Sequence, residues 1–263
     1  MGIKKNKKGK TMIIDTHAHL IDEKITKTPN EVIENFFNRG GDKLFAISTS
    51  LKDAEIVART CAQYANAYPV IGVHPHMANE MTKEKFEKLE EMVKDATAVG
   101  EIGLDYYYEF TDKEKQKEVF IKQLDLAVKY GKPVNIHTRE ATQDTLNILK
   151  NYSGLKGIIH CFGGSLETAM EYIKLGYLLG IGGVVTFKNA EKLRSVVKAV
   201  GLEHIVLETD SPYLTPEPHR GEENEPYNVT LVAQKIADIL ETNVANVYKI
   251  TTENVFKLFN LKD

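Results

Sequence analysis

Two cysteines in 263 residues, Cys61 and Cys161, cannot build a disulfide framework, and a chain of this length has no need of one. A reducing, cytoplasmic setting is therefore expected. No apolar run approaches the roughly 18 residues of a membrane span. The first such run, Met12 to Ile14, is too short for a secretory signal. Basic charge is also scarce, with 34 Lys and Arg against 37 Asp and Glu, for a net charge of −3. Five of those lysines lie in the first ten residues, MGIKKNKKGK, so removing them from the net −3 leaves −8 for the rest of the chain. Such a body lacks the basic footprint of a strong nonspecific DNA binder. The arm at residues 1–10 reads as a disordered, solvated segment, native or added in cloning, with phosphate contact as its other use. Linkers rich in Pro, Gly or Ser are missing, and so is a glycine-rich phosphate loop after an early strand.

What remains is ordinary for a globular protein: 42% hydrophobic and 27% charged residues, enough for one sizeable core. Past the arm one rhythm repeats, a short apolar run followed by turn residues and a helical stretch. Strands are predicted at Met12 to Thr16, Lys43 to Ser48, Val70 to Val73, Ala96 to Glu101, Val134 to Ile136, Gly157 to His160, Tyr177 to Ile181 and Ile205 to Glu208. Between them, Thr111 to Tyr130 reads as a helix opened by a Thr111/Glu114 capping box and closed by Gly131. Ser165 to Leu175 reads as another, and Pro226 suits the first position of a third. Eight such strands alternating with helices predict a parallel α/β sheet closed into a (β/α)8 barrel over residues 11–263. An open doubly wound sheet is the alternative. From Thr242 onward, one or two extra C-terminal helices are expected to pack outside the barrel through Val244, Val247, Val255, Leu258 and Phe259.

The polar residues fall where such a barrel would gather them. His17 and His19 alternate on one side of the first strand, with Ala18 turned away. His74, Glu101, His137, His160 and Asp210 stand at the ends of the third, fourth, fifth, sixth and eighth strands. Parallel strands bring all these ends to one face, where barrel enzymes do their chemistry. Singly, each has a dull explanation as a barrel-mouth hydrogen bond or a satisfied core histidine; together they argue for a metal site. Four or more imidazoles and two carboxylates exceed the needs of one tetrahedral ion and suit two. Glu101, in Gly100-Glu101-Ile102-Gly103, has glycine neighbours that leave room for a bridging carboxylate. Two divalent ions about 4 Å apart clamp a phosphoryl group and lower the pKa of a shared water, so hydrolysis is the natural reaction class.

Asp15-Thr16-His17-Ala18-His19, Gly72-Val73-His74-Pro75, Gly100-Glu101-Ile102-Gly103-Leu104-Asp105-Tyr106, His137-Thr138-Arg139, His160-Cys161-Phe162-Gly163-Gly164, Glu208-Thr209-Asp210-Ser211-Pro212-Tyr213 and Arg220-Gly221 to Asn224-Glu225-Pro226 together resemble the signature set of TatD-type metal-dependent hydrolases. The resemblance runs in order from residue 15 to about 226. It implies an amidohydrolase-like TIM barrel, a binuclear divalent site and, for several members, deoxyribonuclease activity of exonuclease character. It would place His17, His19 and Asp210 on one ion, His137 and His160 on the other, and Glu101 between them. Asp210, with Glu101, is the catalytic candidate, taking a proton from the attacking water. His74 and Arg139 would face substrate, Arg139 offering a fork suited to phosphate or else pairing with Glu208 or Glu140. Asp15 and Asp105 stand where they can orient ligand imidazoles from behind, or cap the following turns. A glycine pair follows Phe162 where the family often carries Thr or Ser.

Nearby residues carry less. Strand alternation turns Cys161 away from the site toward core packing. His204 falls at the far end of the barrel, and nothing fixes His76 or His219 in their loops. Tyr106, Tyr107 and Tyr108 form an aromatic run beside Glu101 that can stack a base, although three in a row cannot all face one ligand. The metals compatible with these donors are Zn, Mg, Mn, Ni and Co. The substrate expected is DNA or a small ester, lactone, amide or phosphoester, with no membrane and no obligate protein partner. A metal-stabilised binding or scaffold protein is the reading from another class.

Overall fold

The computed structural model describes residues 11–108 and 110–261, so the basic arm lies outside the described residues. Eight parallel strands run in sequence order around a nearly closed barrel. They are β1 (Ile14–His19), β2 (Lys43–Ile47), β3 (Ala67–Ile71), β4 (Ala98–Asp105), β5 (Val134–Arg139), β6 (Gly157–Ile159), β7 (Tyr177–Ile181) and β8 (Ile205–Leu207). The seam between first and last strands is joined through an Ala18–Ser211 bridge, with Asp210 N–H donating to the His17 carbonyl and His19 N–H to that of Ser211. The strands follow the predicted order around the barrel, but several differ in length from the apolar runs that mark them. β3 begins and ends earlier than expected, leaving His74 to cap a short 3₁₀ turn at Pro75–Glu80. β4 runs four residues past Glu101, which sits inside the barrel and not at its rim.

The helices are α1 (Pro29–Asn38), α2 (Leu51–Cys61), α3 (Lys83–Asp95), α4 (Lys113–Tyr130), α5 (Thr142–Leu149), α6 (Leu166–Lys174), α7 (Glu191–Val200), α8 (Val229–Ile239) and α9 (Val244–Phe259). Gly131, at φ +61°, ends α4 as expected, but Asp112 and not Thr111 caps its start, accepting from the Glu114 and Lys115 amides. Thr111 instead donates to the His76 carbonyl, because an aspartate next to it makes the better cap and frees the hydroxyl for the neighbouring loop. Ser165 caps α6 through the Thr168 amide. Pro226 opens a 3₁₀ turn that runs into α8.

Alternation divides the apolar residues of each strand between two cores. Leu44 and Ala46 of β2 face the helices, while Phe45 and Ile47 point into the barrel. The interior layer, with Ile14, Val70, Ala98, Ile158 and Val206, is sealed by Val255, Phe256 and Phe259 of α9. Phe259 lies 4.3 Å from the Phe45 ring, centroid to centroid, and the Thr252 hydroxyl meets the Met12 backbone. The C-terminal tail is thus one helix, the smaller of the two numbers expected; Val244 and Val247 pack on the outer core, but Val255, Leu258 and Phe259 close the N-terminal mouth of the barrel instead of lying on its outside. The opposite mouth is left for polar side chains.

Candidate active site

β1 delivers His17 and His19 to one side, their Nε2 atoms 3.4 Å apart. His17 Nδ1 donates to the Asn135 amide oxygen at 3.0 Å, which leaves its Nε2 lone pair facing the centre. From that Nε2 the distances are 3.6 Å to Asp210 Oδ1 and 3.7 Å to Glu101 Oε2; from His19 Nε2 they are 3.4 and 3.9 Å. Donors bound tetrahedrally at about 2.1 Å stand about 3.4 Å apart, close to the 3.4–3.6 Å that separates His17 Nε2, His19 Nε2 and Asp210 Oδ1, so these three are shaped for one divalent ion with little movement. Asp210 reaches it because the chain past β8 turns through a left-handed residue, Asp210 itself at φ +58°.

Around Glu101 the donors continue. His160 Nε2 stands 3.6 Å from Asp210 Oδ1 and 3.9 Å from Glu101 Oε1, and its ring stacks on that of His17 at 3.5 Å. His137 donates to carboxylates at both nitrogens, Nδ1 to Glu101 Oε1 at 2.8 Å and Nε2 to Asp105 Oδ2 at 3.0 Å. His74 Nε2 is 3.8 Å from Glu101 Oε1, its Nδ1 accepting from the His76 amide. Donor atoms of His17, His19 and Asp210 converge, the set the resemblance placed on one ion, and those of His17, Glu101 and His160 converge beside them. The second set differs: donor atoms of His137 converge with His74 and Asp105 and not with His160.

Electrostatics follow from packing five imidazoles among carboxylates, most of them buried. Burial would raise Glu101, yet the surrounding imidazoles, His74 and His137 foremost, hold it well below the usual carboxylate range. Burial opposes protonation of His137, but its bonds to Asp105 and Glu101 push it up to about 9. In the same way Glu208 and Asp210 outweigh burial at His160 and push it up to about 10. Burial and neighbouring imidazoles keep His17 and His74 well below their ordinary value. The carboxylates thus draw positive charge into the cluster, the chemistry expected of residues that hold cations.

The remaining predicted residues divide. Asp105 Oδ2 lies against the His137 imidazole while its Oδ1 accepts from the Tyr107 and Tyr108 amides, so both roles open to it from the sequence meet in one side chain. Asp15 instead accepts from the His17 and Thr209 amides and the Thr209 hydroxyl, tying β1 to the segment after β8. Arg139 pairs with neither Glu208 nor Glu140; its guanidinium lies 3.8 Å over the Tyr107 ring. Gly100 and Gly103 do not open space for a ligand. A Cβ at Gly103, where φ is +145°, would fall 1.9 Å from the His137 carbonyl, so these glycines let β4 approach β5. Cys161 turns toward the site, because β6 ends at Ile159 and Cys161 adopts φ +46°, breaking the alternation. Burial and the nearby Asp210 and Glu208 raise its thiol well above the ordinary range, which favours the neutral thiol in the metal-free protein.

A family model described as TatD related DNase matches residues 14–260. This chain belongs to the TatD family of metal-dependent hydrolases. The uncharacterized metal-dependent hydrolase YabD of Bacillus subtilis is 39% identical over 254 residues, covering 95% of this chain and 100% of YabD. The human deoxyribonuclease TATDN3 is 31% identical over 262 residues, covering 94% of each chain. The crystal structure of YJJV, a TatD homologue from Escherichia coli, superposes with a TM-score of 0.87 at 27% identity, covering 95% and 98% of the two chains.

Three further residues stand behind this TatD-family site: Asn135, unremarked in the sequence, Glu208, expected only as a partner for Arg139, and His76, an unfixed loop histidine. Asn135 is buried behind His17, and its place two residues before His137 on β5 was the available signal. Glu208, two before Asp210, is fully buried with Oε1 3.0 Å from His160 Nδ1. His76 lies 3.1 Å from Asp105 Oδ2, brought there by the turn that His74 caps; nothing in the sequence marks it.

Proposed function

We propose that this TatD-family hydrolase is a divalent-metal-dependent deoxyribonuclease of exonuclease character. The observation that carries the reading is the donor cluster around Glu101, in which the His17 and His19 Nε2 atoms stand 3.4 Å apart and each lies 3.4–3.9 Å from an oxygen of Asp210 and of Glu101. The family description and the name of TATDN3 support DNA as substrate. Two ions drawn from Zn, Mg, Mn, Ni or Co would be held by His17, His19 and Asp210, and by His137 and His160, with Glu101 between. When bound, they supply charge for the phosphoryl oxygens and a water acidic enough to attack phosphorus.

The chain's own residues do the rest. Asp210 is the more open of the two central carboxylates and sits at the rim, so it accepts the proton of the attacking water. Glu101, held anionic, fixes the spacing of the imidazoles. His74 carries its proton on Nε2, the nitrogen facing the cluster, and donates to a phosphate oxygen. The new bond joins water oxygen to phosphorus, the bond to the leaving sugar oxygen breaks, and that oxygen takes up a proton from solvent. Two free cysteines support a cytoplasmic setting, and no helix among the described residues is long and apolar enough to cross a membrane. A second reading, hydrolysis of a small ester, lactone, amide or phosphoester, is favoured by one observation, the net charge of −3.

The test is hydrolysis of end-labelled single-stranded DNA beside a panel of small esters and phosphodiesters. Metal-stripped protein is refilled with Mg, Mn or Zn, and Glu101→Ala and Asp210→Asn serve as variants. Stepwise shortening that needs metal and Glu101, and falls about 10²- to 10⁴-fold in Asp210→Asn while DNA binding persists, is expected. Turnover of small substrates alone would replace the nuclease reading with the second one.

A further inference from the structure

Large hydrophobic side chains left in solvent are concentrated beside the cluster. Of the seven exposed ones among the described residues, three are Tyr107, Tyr108 and Phe110, the last 63% exposed. Singly, exposed aromatics mean little; a contiguous set at the rim of a site means more. The Tyr108 and Phe110 rings are stacked, 5.2 Å apart and 12° from parallel, and the Arg139 guanidinium lies over Tyr107 at 3.8 Å and Tyr108 at 4.9 Å. Tyr107 meets Tyr108 edge to face, 4.8 Å away and 90° from parallel, so the surface is one stacked ring pair flanked by a third ring and one planar cation.

This surface is tied to the reactive residues at several points. Asp105 Oδ1 accepts from the Tyr107 and Tyr108 amides, while its Oδ2 receives His137. Gln116 brackets the Asp105 backbone at both its amide and its carbonyl, and Thr111 ties the far end of the loop to the His76 carbonyl. His76 presents its ring to Tyr108 and Phe110 and stands beside His74. Rings held this way lose little freedom when a flat ligand settles on them.

We infer that Tyr107, Tyr108, Phe110 and Arg139 form a stacking subsite for the unpaired bases at the end of a DNA strand, delivering the adjacent phosphodiester to the metal cluster. The inference rests on the nuclease reading and adds how substrate is held. In a chain of net charge −3, counterion release from phosphates supplies little affinity, so another source is needed. Stacking supplies it without regard to sequence, since every base has a π face. Paired ends, whose bases are already stacked on their partners, gain nothing from such a surface.

The experiment is a cycle on metal-loaded protein: wild type and a Tyr108→Ala/Phe110→Ala variant, each on a single-stranded oligonucleotide with ordinary terminal residues and on the same oligonucleotide with abasic terminal residues. On the ordinary strand the variant should show KM raised about tenfold or more with kcat changed less than about twofold. Removing the bases should cost the wild type as much, and the two losses should not add. Both side chains are exposed, and circular dichroism checks that the variant folds. Equal KM for wild type and variant on the ordinary strand, or losses that multiply, would overturn the subsite and leave the nuclease reading standing. No cleavage of either strand by the wild type would overturn both.

Discussion

Replacing Glu208 with Gln separates a residue that shapes the metal site from one that merely fills the barrel. Glu208 is fully buried; its Oε1 accepts the Cys161 amide at 2.6 Å and stands 3.0 Å from His160 Nδ1. Its Oε2 has no hydrogen-bond partner among the described residues and is packed so closely on β7 that a Cβ at Gly180 would meet it at 2.1 Å. Glutamine keeps this shape and the acceptor for Cys161, but removes the charge that, against burial, makes His160 basic. The imidazole is then a weaker donor at Nε2, and its tautomer is less firmly set. Losing such a partner behind a metal-bound histidine typically costs about 10- to 100-fold in metal affinity. That corresponds to about 1.4–2.7 kcal/mol. The assay is calorimetric titration of stripped Glu208→Gln with Zn and Mn, beside thermal melts of the stripped protein. The expected outcome is weaker binding with a metal-free melting temperature close to wild type. Metal affinity within about twofold of wild type would refute the reasoning, whatever the melts show.

Two further outcomes follow from the same geometry. In the metal-stripped protein, His137 and His160 are pushed up to about 9 and about 10, by Asp105 and Glu101 and by Glu208 and Asp210 respectively, against burial. The stability this lends is complete below the unfolded value of about 6.5 and is lost as pH rises through about 9 to 10. Urea melts of stripped protein at rising pH should therefore show falling stability, with the fall suppressed by saturating metal; a flat or rising profile for the stripped protein would refute it. At the other mouth, Phe45→Ala removes a fully buried ring lying between Tyr68 and Phe259 and should cost about 3–5 kcal/mol in urea unfolding. Metal affinity should hardly change, and a loss below about 1 kcal/mol would mean that α9 does not seal the barrel as described.

The barrel was legible because its signal is local and repeated: each strand is a short apolar run and each helix carries its own caps, as Ser165 and Gly131 show. Element ends were not, because strand length depends on the neighbour a strand pairs with. β4 extends to Asp105 because β5 continues to Arg139 beside it, and no pattern within β4 announces this. The Thr111 cap failed for a similar reason, since Asp112 competes for the same amides and Thr111 finds a partner in another loop. Cys161 was misplaced because alternation holds only while a strand lasts.

The order and kind of the donors belong to the sequence alone. Histidine pairs at i and i+2 share a face in any strand, and parallel strands bring their C-terminal ends together whatever their exact lengths. That places His17, His19, His137, His160 and Asp210 toward one mouth of the barrel, with Glu101 on the strand between them. Tertiary structure decided how they meet: which imidazoles lie within reach of which oxygen, that His137 sits between Glu101 and Asp105, that Asn135 holds the His17 ring from behind and that the Glu208 carboxylate stands 3.0 Å from His160 Nδ1. It also decided that α9 closes one mouth and an aromatic loop borders the other. Such distances depend on barrel curvature and on side chains from strands far apart in the chain, which no local pattern encodes.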